Sequence, residues 1–242
     1  MGQFNSFYSL TCIDCVILQV KGRMYMQVFV IGATGMAGSA FVQAAVAQGM
    51  AVIANGRNTD KLTALQKQYS AIQILAKDAF QLELTDFADS DVIIDAFATT
   101  PEKAYLHVDL ATRLVSQFRE NKKVRLGFIL GAGSLLIGND QHVLLSDIEQ
   151  SANTNAETAI PHYQYQELEF LQLVDNVDWF GISPGLNFVP GPKAQQILTG
   201  DNKLMFNQQG QSQTTAGTMA TALTQEIWQP THHQQRFTVI DG

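Results

Sequence analysis

One stretch constrains this chain more than any other: Val28-Phe-Val-Ile-Gly-Ala-Thr-Gly-Met-Ala-Gly38, followed by an apolar, Ala-rich run over 39–47. Four apolar residues, three glycines at positions 32, 35 and 38, and then the apolar run predict a strand, a tight turn and a helix. That geometry aims the first backbone N–H groups of a helix, and the positive end of its dipole, at an anion. Gly32 lets the chain turn. Gly35 lacks the Cβ that would keep a pyrophosphate away from the backbone. Gly38 lets the helix pack tightly on its strand. Thr34 and Met36 lie in the same turn and are expected beside the phosphates. The spacing is Gly-x-x-Gly-x-x-Gly, a variant of the dinucleotide-binding fingerprint.

The pattern repeats along the chain. Apolar runs predict strands at 28–31, 51–54, 72–75, 92–96, 124–130 and 179–182, with helices over 35–48, from 58 or 59 to 69, from Pro101 to 118 and over 162–174. Such alternation implies parallel strands joined by right-handed helical crossovers. Nearly continuous apolar strands imply a sheet covered on both faces. The fold expected is α/β, a Rossmann-type doubly wound parallel sheet occupying 26–242. After Pro184-Gly185 the alternation breaks. A short strand at 204–206, a helix over 214–227 and a last strand at 237–240 are expected, with 186–242 forming a small C-terminal lobe on the substrate side.

Composition narrows the partners. A net charge of −7 gives no bulk electrostatic case for nucleic acid or an anionic membrane. No apolar run approaches the ~20 residues that span a bilayer. A soluble, cytoplasmic protein acting on a small molecule is expected, as a monomer or an oligomer. Residues 1–25 read as an N-terminal extension. They carry Cys12 and Cys15 in a Cys-x-x-Cys arrangement, with no second pair or His cluster beside it, so no metal or redox role is expected.

The dinucleotide's identity is read after the second strand. An NAD site usually places Asp or Glu there for the ribose 2′-OH. Here the segment is Ala54-Asn-Gly-Arg-Asn58, without an acid. The guanidinium of Arg57 can hold a 2′-phosphate that a carboxylate would repel, so NADP(H) is expected over NAD(H), with Asn58 assisting. Asp78, past the third strand, can accept from an adenine amino group. Ala96, Phe97 and Ala98 follow the fourth strand, at the carboxyl edge where ligands bind in open α/β sheets.

Together these residues resemble the atypical or extended short-chain dehydrogenase/reductase superfamily. The resemblance rests on Gly32-Ala-Thr-Gly-Met-Ala-Gly38, Gly56-Arg-Asn58, Asp95-Ala-Phe97, Gly131-Ala-Gly-Ser134 and Ser183-Pro-Gly185. Within it the chain is similar to the NAD(P)-binding group described as NADH-flavin reductases. Most members of the superfamily use a Tyr-x-x-x-Lys pair and a Ser on the preceding strand, which implies roles for Ser134, Tyr163 and Tyr165. Four residues beyond the tyrosines, however, stand Glu167 and Glu169. A carboxylate there raises a phenol's pKa, the wrong direction for acid–base work near neutrality. Flavin reduction needs no such pair, because hydride passes to the flavin if the two rings are stacked and oriented. Pro184, Gly185 and Asn187 are expected to bound the nicotinamide pocket. The leading expectation is therefore an NAD(P)H-dependent reductase of a flavin or similar conjugated acceptor. The alternatives are a non-catalytic NADP-sensing regulatory protein and a nucleotide-sugar epimerase- or dehydratase-like enzyme.

Overall fold

The glycine turn joins strand β1 (Gln27–Ile31) to helix α1 (Met36–Ala47) in the computed structural model, which describes residues 25–242. The Cys12–Cys15 pair and all but the last residue of the expected extension lie outside the described residues. The chain continues through β2 (Ala51–Gly56), α2 (Thr59–Gln68), β3 (Gln73–Ala76), β4 (Val92–Asp95), α3 (Leu106–Phe118) and β5 (Arg125–Ile129). The short strands β6 (Leu136–Ile137) and β7 (His142–Val143) lead into α4 (Leu144–Ser151) and α5 (Asn155–Gln172). Then come β8 (Trp179–Pro184), β9 (Asn187–Val189), β10 (Ile197–Gly200), β11 (Gln213–Thr215), α6 (Ala216–Trp228) and β12 (Gln235–Asp241).

Among the described residues, eight strands form one sheet in the order β10-β12-β8-β5-β4-β1-β2-β3. Every pairing in it is parallel except β10 with β12. The order reverses between β1 and β4, the topological switch point of a doubly wound sheet. There Ile31 of β1 pairs with Asp95 of β4, so both strands end at the same level.

The sheet is two-faced because successive side chains alternate. Val28 and Val30 join Phe41, Leu62, Met219 and Leu223 on the face covered by α1, α2 and α6. Phe29 and Ile31 join Leu110, Leu114, Leu168 and Leu171 on the face covered by α3 and α5. All five β1 residues are buried, as an apolar central strand between two helical layers requires.

Several expectations need correction. The stretch 204–206 is not a strand; Leu204 packs into a small cluster with Leu135 and Leu144. The added strand is β10, whose four residues pair antiparallel with β12. Residues 186–242 contribute to the main sheet as well as to the substrate side. Their β10 and β12 extend the main sheet, and α6 buries Met219 and Leu223 in the core, while β9 and β11 form a small two-stranded sheet of their own. Phe237 and Val239 of β12 and Ile227 of α6 lie in the same core cluster as β1, so the segment joins the main core. Helix α5 begins at Asn155 and not at 162, with Pro161 inside it. The Glu157 carboxylate reaches back to the Asn153 N–H (3.1 Å) and the Thr154 hydroxyl (3.3 Å), which anchors the earlier start. Pro101 opens a short 3₁₀ turn, Pro101–Lys103, and the long helix begins three residues beyond it.

Candidate functional site

The residues after β1 and β4 build two cavities that share Gly35 and 96–99. The first, about 460 Å³, runs from the glycine turn to the ends of β2 and β3 and is lined by Gly32, Thr34, Gly35, Asn55, Gly56, Arg57 and Asp78 among others. The second, about 320 Å³, lies between the ends of β4, β5 and β8 and is lined chiefly by apolar groups, including Met36, Phe97, Ile129, Leu130, Ile160, Pro184, Leu186 and Phe188.

The glycine turn has the geometry expected of a phosphate cradle. Gly32 has φ of +72° and lies so close to β4 that a Cβ would meet Ala96 O at 2.4 Å. A Cβ on Gly38 would meet Gly32 O at 2.3 Å and Ala33 Cα at 2.9 Å, so this glycine packs beneath the turn and does not line the cavities. Gly35 differs: the nearest atom to its Cβ would be Gly32 O at 3.3 Å, with the cavity beyond. Gly35 caps α1 without any side-chain hydrogen bond, and the helix has no acidic residue in its first turn. A ligand anion can therefore accept from the first N–H groups and face the dipole unopposed. The absence of a Cβ at Gly35 and this donor set fit a dinucleotide diphosphate.

Four cations surround the first cavity: Arg57, Lys61, Lys77 and Lys103. They come from the ends of β2 and β3, the first turn of α2 and the turn before α3, in a chain of net charge −7. Lys77 is also paired with Asp86 at 2.7 Å. Burial would raise the Asp86 carboxyl, but the hydrogen bonds from Lys77 and the Glu83 N–H together hold it below the usual range. Asn55 is buried and clasps β2 to the end of β3, donating to Leu75 O (3.0 Å) and Lys77 O (2.9 Å). The Asp78 side chain accepts from Phe80 N–H at 2.9 Å while lining the cavity.

Other expected residues lie elsewhere. The Asn58 oxygen caps α2, accepting from Lys61 N–H at 2.9 Å, and the residue does not line the cavity. Asn187 is exposed, whereas its neighbours Leu186 and Phe188 line the second cavity. Ala96, Phe97, Ala98, Pro184 and Gly185 all line it.

The three side chains assigned to chemistry are not in the cavity wall. Ser134 is buried; its hydroxyl donates to Gly131 O (3.2 Å) and accepts from Arg236 Nη1 (2.9 Å). Arg236 also donates to Ser183 Oγ, Ser134 O and Asn202 Oδ1, and burial lowers its pKa to about 10. Ser134 thus belongs to a structural knot behind the cavity. Tyr163 packs edge-on against Tyr105 and His162. Burial, with the Glu169 carboxylate, raises the Tyr165 pKa. The α5 residues facing the cavity are Ile160 and Gln164. At about 100° per residue, Tyr163 and Tyr165 are turned to either side of Gln164.

His107 of α3, which its place in an apolar helix marks as a packed or edge histidine, also stands in the wall of the second cavity. It is 5 % exposed, with its ring edge-to-face on Phe97 at 5.6 Å. Its Nδ1 lies 3.9 Å from Glu167 Oε2 of α5. Glu167 is 3 % exposed, and Oε2 has no hydrogen-bond partner. Asp95, at the end of β4, is also buried and accepts the Phe97 N–H at 2.9 Å. Burial raises Asp95 to about 7, against the opposing hydrogen bond. Burial and then the nearby Asp95 charge push Glu167 well above the usual carboxylate range. Burial lowers His107 to about 4. The His107–Glu167 contact is close enough for an ion pair, yet burial works against the charged form of both partners.

A readable signal existed. His107 begins the α3 stripe 107, 110, 111, 114, 115 and 118, and Glu167 interrupts the α5 stripe 160, 164, 167, 168 and 171. A polar residue in phase with an apolar stripe must be buried. Among the described residues, no group of three or more His, Cys, Asp or Glu is placed to hold a metal ion, and no helix is long and apolar enough to cross a membrane.

A family model described as NAD(P)H-binding matches residues 32–226. The uncharacterized protein YwnB of Bacillus subtilis (strain 168) is 31% identical over 216 residues, 89% of this chain and 98% of the relative. A crystal structure of a Lactobacillus casei protein superimposes with a TM-score of 0.83 at 36% identity, covering 90% of this chain and all of the other. A Streptococcus pneumoniae TIGR4 protein, whose name suggests an NADH-flavin reductase, gives 0.80 at 27% identity, over 90% of this chain and all of that one.

Proposed function

Since the chain belongs to the NAD(P)H-binding family, we propose that it is an oxidoreductase passing hydride from NADPH to a flavin or similar conjugated acceptor. The observation that carries this reading is the pairing of two contiguous cavities of opposite character, one ringed by cations and one walled by apolar groups, with Gly35 and Phe97 at their junction.

The residues present divide the work. The first N–H groups of α1, opened by Gly35, hold the diphosphate. Arg57, with Lys61 beside it, holds a ribose 2′-phosphate, which favours NADP(H) over NAD(H). Phe97, Pro184 and Phe188 hold planar groups flat and exclude water. Bound NADPH supplies the hydride. The tyrosines lie outside the wall, so the reaction favoured is one that needs no Tyr–Lys pair and gains chiefly from positioning the two rings. The name of the Streptococcus pneumoniae relative supports a flavin acceptor.

The test follows NADPH absorbance with and without added FMN, and compares NADPH with NADH. Acceptor-dependent oxidation with an NADPH preference is expected. Tight NADPH binding without turnover on any flavin or quinone would overturn the reductase reading in favour of a sensing protein.

A further inference from the structure

We propose that His107, backed by the buried carboxyl of Glu167, delivers the proton that accompanies hydride transfer to the acceptor in the second cavity. The inference rests on the reductase reading and names the acid that this reading leaves unassigned.

Three geometric facts carry it. His107 is in the wall of the apolar cavity, beside the Phe97 ring. Glu167 lies one helical turn beyond Gln164, which is also in that wall, so its carboxyl sits directly behind the cavity. Its Oε2 is buried with no hydrogen-bond partner, 3.9 Å from His107 Nδ1. A buried polar atom left unpartnered is unfavourable, and a leucine in the α5 stripe would pack without it. Such a group is explained by a task performed when the site is loaded. Hydrogen bonds of catalytic groups are often long in the empty site and tighten with substrate bound, so 3.9 Å is within reach of a small rotation.

The chemistry balances. Reduction of a conjugated acceptor by a reduced nicotinamide dinucleotide moves one hydride, two electrons with one proton, and leaves a site of negative charge on the acceptor that must take one further proton. The neutral imidazole gives up the proton on Nε2, and Nδ1 takes the Glu167 proton in the same motion, so His107 ends as the other neutral tautomer. Glu167 is left as carboxylate and regains its proton from water when product departs. The groups facing the pair fit these roles. Asp95, packed from β4, adds a charge that favours the protonated form of Glu167. Burial disfavours the charged imidazolium, and burial with the Asp95 charge disfavours the Glu167 carboxylate. His107 is thus the catalytic acid and Glu167 a positioning and proton-storing residue.

The experiment uses the full chain with NADPH and FMN. Glu167→Gln keeps the shape but cannot supply the proton. Its kcat is expected to fall by about 100-fold, within the range for loss of a general acid, with NADPH affinity unchanged. The wild-type proton inventory in H₂O/D₂O mixtures is expected to curve, because two protons move, and to become linear in the variant. In the infrared, the wild type is expected to show a protonated-carboxyl band that Glu167→Gln removes, distinct from that of Asp95, whose pKa burial raises to about 7. His107→Gln is expected to reproduce the kinetic loss, and covers the case of a Glu167 variant that does not fold. A kcat within threefold of wild type in the folded variants, or the absence of that infrared band, overturns the relay while the reductase reading stands. Wild-type protein that binds NADPH but reduces no acceptor overturns both.

Discussion

Replacing Asp95 by Asn should stabilise the protein at alkaline pH and leave it almost unchanged at pH 4. Asp95 is buried at the end of β4, with Oδ1 accepting the Phe97 N–H at 2.9 Å. Its pKa rises from 3.8 to about 7, burial outweighing that hydrogen bond. The difference corresponds to about 4 kcal/mol against ionisation. The direction follows from linkage. Between pH 4 and 7 the folded state holds a proton that the unfolded chain has released, so this group's contribution to stability declines as pH rises. Above about pH 7 the folded carboxyl ionises and the full penalty of about 4 kcal/mol applies. An asparagine has no proton to lose, and its amide oxygen can still accept from Phe97. The Asp95→Asn variant should therefore exceed wild type by about 4 kcal/mol at pH 8 and by less than about 1 kcal/mol at pH 4. Urea unfolding at the two pH values reads this as a midpoint shift of about 1–2 M at pH 8, with unchanged slope. A variant no more stable than wild type at pH 8, or a difference that is the same at both values, would refute a buried, reluctantly ionised Asp95.

Three further outcomes follow from the geometry. Arg57→Ala should weaken NADPH by about 10–100-fold and leave NADH within about threefold, measured by fluorescence titration, since a charge-assisted contact to a phosphate is worth about 1.5–3 kcal/mol. Gly38→Ala should lower the melting temperature by several degrees, because its methyl meets backbone at 2.3 Å and 2.9 Å, whereas Gly35→Ala should melt near wild type yet bind NADPH weakly. Burial acts to raise the Glu226 carboxyl, yet hydrogen bonds from His232, Arg125 and Thr231 outweigh it and hold the group at about 2, which contributes about 3 kcal/mol of stability at neutral pH. That contribution is present above the unfolded value of 4.5 and is lost as pH falls toward 2, so Glu226→Gln should narrow its stability gap to wild type across that window in acid-titrated unfolding.

What could be read from the sequence was what local chain chemistry decides. The turn at Gly32, Gly35 and Gly38 involves neighbours a few residues apart, and its strand and helix follow from the same stretch. The two-sided sheet follows from apolar strands such as β1 and β4. Less legible was whatever depends on distant segments. The cations at 61, 77 and 103 meet Arg57 only because α2, the end of β3 and the turn before α3 converge on the switch point. The C-terminal segment looked peripheral because β10 is short and half polar, yet Ile197 to Gly200 find β12 as a partner. Ser134 was placed in the site by resemblance, but the buried guanidinium of Arg236, 102 residues away, claims its hydroxyl.

Helix phase gives the last step. The family pattern directs attention to Tyr163 and the residue four beyond it, where a lysine is expected and Glu167 stands. Read as a partner of Tyr163, that glutamate looks like an obstacle to chemistry. In the helix it belongs to the stripe of Ile160, Gln164, Leu168 and Leu171, which faces the cavity and the core, while the tyrosines turn away from it. The same substitution thus removes a cation from one site and places a proton-holding carboxyl behind another. His107 from α3 and Asp95 from β4 complete that cluster from elements that meet only at the switch point. Three reluctantly charged polar groups buried at and behind an apolar wall are poor for stability, as the gain expected from Asp95→Asn makes measurable. Retaining them there is the pattern expected when stability is given up for function. On this argument Asp95→Asn should trade the two openly. The variant that stabilises the fold at pH 8 also withdraws the charge that favours a protonated Glu167, and its acceptor reduction should fall as pH rises more steeply than that of the wild type.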